Sequence, residues 1–101
     1  MKLAASNLCW AAADDEAAWG KMKELGYTGL EIAPTRIFPQ APYDCLNGAA
    51  LFAGVMYQKY GFVIPSMQSI WYGQSGSIFD VADAARLEEY TKEAYQFARA
   101  C

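Results

Sequence analysis

Hydrophobic positions along the chain fall into two patterns that follow one another in turn. Short apolar runs of six to eight residues, too brief for a helix, predict buried strands. Longer stretches in which apolar residues recur every three to four positions predict helices. The predicted strands are Lys2–Cys9, Thr28–Ala33 and Phe62–Gln68, and the predicted helices are 14–25, Leu46–Tyr60 and a stretch from Asp80 or Asp83 to the end.

Charged residues and glycines mark the ends of the predicted helices. The acidic run 14–16 places negative charge on a first turn, where the helix dipole favours it. Gly26 and Gly61 each follow the last apolar position of a helix, as C-terminal cap residues do. Residues 36–45 contain Pro39 and Pro42 and are predicted to form a loop.

The order strand–helix, repeated three times, predicts an α/β fold. Strands that alternate with helices imply right-handed crossovers and a parallel sheet. No linker divides the chain, so residues 1–101 are expected to form a single domain. Three parallel strands are few, and a fourth would be expected after the last helix. We therefore expect a partial domain, truncated after the third helix.

Composition excludes several classes of function. Among 101 residues, 54% are hydrophobic, which argues against intrinsic disorder. Eight basic against eleven acidic residues give a net charge of −3, so no nucleic-acid partner is expected. There is no histidine, which excludes a histidine-based zinc site or catalytic triad built from this chain. The three cysteines, widely spaced, are expected to be free thiols.

No signal peptide is visible at the start of the chain. Met1 and Lys2 lead into a short mixed stretch, unlike a signal peptide. The longest apolar run, 48–57, is far shorter than the ~20 residues that span a bilayer. We expect a soluble, cytoplasmic protein with no membrane partner.

Four segments resemble one known family. They are Ser-Asn-Leu-Cys-Trp (6–10), Leu-Gly-Tyr-Thr-Gly-Leu-Glu-Ile-Ala-Pro (25–34), Lys-Tyr-Gly-Phe (59–62) and Ser-Met-Gln-Ser-Ile-Trp-Tyr-Gly (66–73). In this order and spacing they resemble the sugar phosphate isomerase/epimerase family. That family has the xylose isomerase-like TIM barrel, shared with apurinic endonucleases. The resemblance covers essentially the whole chain but only about the first three of eight barrel units.

The resemblance implies a metal-dependent isomerase or epimerase in the full-length family member. In the family two Glu, an Asp and a His from later strands hold a divalent metal, such as Mn, Mg, Co or Zn. None of those units is present here, so no metal ligand is carried over. We expect the 101-residue chain alone neither to bind such a metal tightly nor to turn over sugars.

In a TIM barrel the active site lies at the C-terminal ends of the strands. Amides and aromatic rings follow each predicted strand here, and rings stack on sugars while amides bond hydroxyls. The two tryptophans are also consistent with ordinary core or loop anchors. The predicted substrate-binding residues are Asn7, Trp10, Glu31, Arg36, Gln68 and Trp71.

Three of these residues carry particular expectations. Glu31 interrupts an apolar strand, so it lines the sugar pocket, supports a ligand of the metal, or pairs with a buried cation. That cation is Lys2, Arg36 or a residue of a missing strand. Arg36 is a candidate phosphate clamp, although an arginine in a proline-rich loop is more often solvated. Gln68 can bond a hydroxyl but cannot act as a base.

Two functions from different classes follow from the sequence. The first is a sugar (phosphate) isomerase or epimerase, whose partner is a small sugar or sugar phosphate. The alternative is a non-catalytic α/β fragment that acts as an assembly or binding module. An apurinic endonuclease is disfavoured by the acidic charge. Because unpaired strand edges and apolar helix faces favour self-association, we also expect a homo-oligomer.

Overall fold

Two short parallel strands lie at the centre of the computed structural model, which describes residues 1–101. Ala4 pairs with Gly29 and Ser6 pairs with Glu31. Three long helices and one short helix accompany this sheet, so the prediction of a mixed α/β domain is confirmed. The elements are β1 (Ala4–Ser6), α1 (Asp15–Glu24), β2 (Gly29–Glu31), α2 (Pro34–Ile37), α3 (Leu46–Tyr60) and α4 (Val81–Ala100), with 3₁₀ turns at Ala12–Asp14 and Pro42–Asp44.

The third predicted strand is present only in part. Val63 and Met67 form isolated parallel bridges with Gly29 and Ile32, so residues 62–68 run beside β2 without forming a regular strand. Gly29 and Ile32 are three positions apart, whereas their partners in residues 62–68 are four positions apart. Proline has no N–H to donate, so Pro65, between the bridges, helps explain the break. We call residues 62–68 the third segment.

The three long helices were predicted with bounds close to those observed. The Asp80 side chain caps α4 by accepting hydrogen bonds from the backbone N–H groups of Ala82 and Asp83. Gly61 ends α3 in the left-handed region at φ 76°, which glycine adopts without steric cost. No helix combines the length and the apolar character needed to cross a bilayer.

The hydrophobic core lies between one face of the sheet and the helices. Leu30 and Ile32 are fully buried there, together with Phe62 of the third segment. Residues from all three long helices join the same cluster, including Met22, Met56 and Phe97. Burying a side chain of this size contributes about 1.5–3 kcal/mol, so this layer holds the fold together.

The other face of the sheet has no helix packed on it. Because side chains alternate along a strand, Glu31 points away from its buried neighbours Leu30 and Ile32. A side chain at Gly29 would lie 3.0 Å from the Ala4 Cβ and 3.2 Å from the Pro65 Cγ, so this face is closely packed between strands. We call this surface the open face.

Candidate functional site

Polar side chains from three neighbouring strands meet where the open face reaches the C-terminal ends of the strands. The Ser66 hydroxyl donates a 2.6 Å hydrogen bond to Glu31 Oε2. Gln68 Nε2 donates to Glu31 Oε1 at 3.0 Å and also to the Ser6 hydroxyl oxygen. These four residues, Ser6, Glu31, Ser66 and Gln68, form the strand-end cluster, which links β1, β2 and the third segment.

Glu31 therefore has hydrogen-bond donors rather than a cation as its partners. Its carboxylate is half-buried and each oxygen accepts one of these bonds. Arg36 pairs with Asp15 instead, and Lys2 forms no salt bridge with Glu31. The predicted ion pair with Lys2 or Arg36 is wrong, whereas a place in the sugar pocket and a cation from a missing strand stay predictions. A carboxylate is tolerated on this strand because its side of the sheet is uncovered.

Arg36 and Trp10 are held together by Asp15. The Arg36 guanidinium donates to both Asp15 carboxylate oxygens, at 2.8 and 3.2 Å, and to the Trp10 carbonyl at 3.3 Å. The indole N–H of Trp10 donates to Asp15 Oδ1 at 2.7 Å. The side chains of Arg36 and Asp15 are only 16% and 24% exposed, so the sequence-based suggestion of a solvated arginine is wrong. A two-pronged arginine–carboxylate contact of this kind fixes the orientation of the guanidinium.

Asn7 occupies a buried position beside the cluster. Its side-chain oxygen accepts a 2.9 Å hydrogen bond from the backbone N–H of Ala33. The backbone N–H of Asn7 donates to the Glu31 carbonyl at 3.0 Å. Only 2% of the residue is exposed. Asn7 thus ties the end of β1 to the end of β2 and supports the residues that carry the cluster.

Trp71 differs from the other five candidate residues in forming a side-chain hydrogen bond with α4. Its indole N–H donates to the Thr91 hydroxyl of α4 at 2.8 Å. There it lines a groove of about 540 Å³ along α4, which Ile78, Leu87 and Tyr95 also line. The structure therefore does not bring Trp10 and Trp71 together as two walls of one sugar site.

A second, smaller cleft opens beyond the strand-end cluster. Its volume is about 360 Å³, and we call it the strand-end cleft. Ser69, directly after Gln68, adopts a left-handed backbone at φ 55°, a conformation that costs non-glycine residues energy and is common at functional sites. The cleft is lined by Leu8, Ala33, Thr35, Arg36, Ser69 and Tyr72.

Sequence reasoning missed two residues of this region. Ser66 was not singled out, although the register of the third segment places it on the same face as Gln68. Asp15 was interpreted only as a charge on the first turn of a helix. Its pairing with Arg36 spans 21 positions, and no local spacing signals such a contact. The break at Pro65 and this long-range pair both require the folded chain.

The donor set at the strand ends does not fit a divalent metal. Glu31 is the one carboxylate of the strand-end cluster, and both its oxygens already accept hydrogen bonds. Asp15 is neutralised by Arg36. Hard divalent cations are held by several carboxylate or carbonyl oxygens together, so no chemical step through a metal is derived for these residues.

Comparison of the chain with family models, with curated proteins and with solved structures finds no match. The functional interpretation therefore depends on the strand-end cluster and the strand-end cleft. These two features lie at one edge of the sheet and share the residues that follow each strand. Together they present hydroxyl, amide, carboxylate and guanidinium groups beside an exposed tyrosine ring.

Proposed function

We propose that the chain comprises three βα units of a xylose isomerase-like TIM barrel and contributes part of the sugar pocket of an isomerase or epimerase. Two features of the fold support this. The parallel order β1, β2, third segment follows the order of the chain, as it does in a barrel. The helices cover one face and leave the other open, and in a barrel that open face becomes the interior.

The strand-end cluster is the observation that carries the proposal. It lies at the C-terminal ends of the strands, where TIM-barrel enzymes bind their substrates. A carboxylate, an amide and two hydroxyls offer alternating acceptors and donors within hydrogen-bond reach of one another. Neighbouring hydroxyls of a sugar need the same alternation. Glu31 and Gln68 are assigned to bind and orient two such hydroxyls.

The roles of individual residues follow from their chemistry. Glu31 accepts hydrogen bonds from sugar hydroxyls in exchange for those from Ser66 and Gln68. The Gln68 amide donates to a hydroxyl but takes no proton, so it orients substrate and does not act as a base. Asn7 and Asp15 hold the strand ends and Arg36 in place. No metal is assigned to these residues.

Calorimetric titration of the 101-residue chain with a panel of pentoses and hexoses tests the proposal. We expect weak binding of at least one sugar. Gln68→Ala should weaken that binding by about threefold to tenfold, the effect of one neutral hydrogen bond. Gln58→Ala, which removes an exposed amide from α3, is the matched control and should change nothing. Absence of binding by every sugar, or equal losses in both variants, would contradict the proposal.

The groove along α4 favours a second candidate, the non-catalytic binding module. Its lining is largely apolar, and Phe79, close to the start of α4, is 92% exposed. An exposed apolar surface of this kind is typical of contact sites between proteins. Light scattering tests this candidate, because self-association through this surface should give a dimer at micromolar concentration. Leu87 is buried, so replacing it would disturb the core. Phe79 is exposed, and Phe79→Ser should therefore dissociate the dimer without unfolding the chain.

A further inference from the structure

The charged groups around the strand-end cleft carry a net negative charge. Arg36 is the one cationic residue among those lining the cleft. Its guanidinium contacts Asp15 through both carboxylate oxygens, so the positive charge already has a close negative partner. Glu31, in the adjacent cluster, adds a carboxylate that has no cation beside it. The region therefore holds two negative charges against one positive charge.

Arg36 nevertheless keeps some capacity to donate hydrogen bonds. A guanidinium has five N–H donors. Three of its contacts are made to Asp15 and Trp10, which leaves two N–H groups. The cleft adds the hydroxyls of Thr35 and Ser69 and the ring of Tyr72. Hydrogen-bond donors, hydroxyls and a flat ring are the groups that recognise an uncharged sugar.

We propose that the strand-end cleft takes an uncharged sugar and discriminates against the corresponding sugar phosphate. This inference rests on the proposed function and specifies its substrate class. A phosphate ester carries a charge of about −1.5 to −2 at pH 7. At this site it would face the carboxylates of Asp15 and Glu31 and would compete with Asp15 for Arg36. A neutral sugar uses the remaining N–H groups without disturbing the ion pair.

Calorimetric titrations of the 101-residue chain with fructose, fructose 6-phosphate and inorganic phosphate test this discrimination. All three are measured at the same pH and ionic strength. We expect fructose to bind about tenfold more tightly than its phosphate, a difference of about 1.4 kcal/mol. Inorganic phosphate alone should not bind. Equal or tighter binding of the phosphate would overturn the inference and leave the proposed function standing. Failure of both sugars to bind, together with failure of every other sugar in the panel, would instead contradict the proposed function.

The Asp15→Asn variant tests the reason for the discrimination. It removes the charge that neutralises Arg36 but keeps an oxygen that can accept the hydrogen bond of the Trp10 indole. Affinity for fructose 6-phosphate should rise about tenfold relative to the affinity for fructose. Asp14→Asn removes the same charge from the exposed neighbouring position and should leave both affinities unchanged. A rise in both variants would show a general charge effect and overturn the role of the ion pair.

Salt dependence gives a second readout in case Asp15→Asn does not fold. Binding that depends on attraction between Arg36 and phosphate weakens as ionic strength rises. In the unmodified chain the affinity for fructose 6-phosphate should stay level or improve between about 0.01 and 0.15 M salt. Over this range the Debye length falls from about 30 Å to about 8 Å, so charges are increasingly screened. A steep loss of affinity with salt would contradict the inference.

Discussion

The two faces of the small sheet are built from the same strands but follow different physical rules. On the covered face, Leu30 and Ile32 are completely buried against three helices. On the open face, Glu31 lies between them in sequence and is half-buried among hydroxyl and amide groups. Three successive residues at the end of β2 thus serve a core on one side and a polar cluster on the other.

This difference shows that the identity of a strand residue follows the environment of its own face. The covered face demands apolar side chains of fitting shape, since a cavity or a lone polar group there is costly. The open face demands only that each polar atom has a partner or water. Substitutions on the two faces should therefore differ in kind, with stability lost on one and binding lost on the other.

The largest effect on stability is expected at the centre of the covered face. Ile32→Ala should lower the free energy of unfolding by about 2–5 kcal/mol, because it leaves a cavity in a closely packed core. Urea denaturation followed by circular dichroism measures this change. Val63→Ala, at an exposed position of the third segment, is the comparison variant and should cost much less. Similar losses of unfolding free energy at both positions would contradict the proposed difference between the two faces.

The ion pair between Arg36 and Asp15 should rank second. Both side chains are more than three-quarters shielded from solvent. The cost of breaking the pair should therefore fall between the costs for exposed and for fully buried ion pairs. Asp15→Ala should cost about 1–3 kcal/mol, since it also removes the acceptor of the Trp10 indole. Glu24→Ala breaks the exposed pair with Lys21 and should cost less than about 1 kcal/mol. Equal costs would mean that Arg36 is not fixed in place.

The third effect is a dependence of stability on pH, and it arises from Tyr43 in the hydrophobic core. Burial, with a smaller contribution from Tyr90, raises the pKa of Tyr43 well above its ordinary value near 10. Its hydroxyl donates a 2.7 Å hydrogen bond to the Ile70 carbonyl. The folded state thus favours the neutral phenol, while the unfolded chain ionises first. This contribution to stability is full below pH about 10 and is lost as pH rises above it.

Urea denaturation between pH 7 and 11 checks this sign, with Tyr43→Phe as the reference variant. At pH 7 the variant should be less stable by about 1 kcal/mol, the value of one hydrogen bond. Above pH about 10 the difference should shrink, because the phenylalanine has no proton to lose. A difference that grows with pH would contradict the assignment.

The smallest effect on stability is expected at Glu31 on the open face. Glu31→Gln keeps the shape and one acceptor oxygen, so the free energy of unfolding should change by no more than about 0.5 kcal/mol. Sugar binding should nevertheless weaken, because the amide replaces one acceptor by a donor. Loss of more than 2 kcal/mol of stability would instead mark Glu31 as part of the structural core.

The helices were predictable because their signals are local. The apolar spacing of α3 and the glycine at position 61 are sufficient to bound that helix, and the observed element is Leu46–Tyr60. The partial third strand was not predictable in the same way. Its interruption depends on where Pro65 falls relative to the bridges with β2, and that register is set only in the folded sheet.

The candidate site was predictable as a location and not as a set of contacts. Parallel strands that end together bring Glu31 and Gln68 to one edge, as the strand order implied. The partner of Arg36 was not predictable, because Asp15 lies 21 positions away on another element. The separation of Trp71 from Trp10 depends on the loop after the third segment, whose course no hydrophobic pattern determines.

The position of bound sugar on the molecule tests the central claim most directly. Titration of the isotopically labelled 101-residue chain with a binding sugar, followed through its backbone amide resonances, maps that position. We expect the largest shifts at Ser6, Glu31, Gln68 and Ser69, which belong to the strand-end cluster and cleft. Leu30 and Ile32, on the covered face, should move less. Shifts confined to the α4 groove around Trp71 and Tyr95 would contradict a sugar site on the open face.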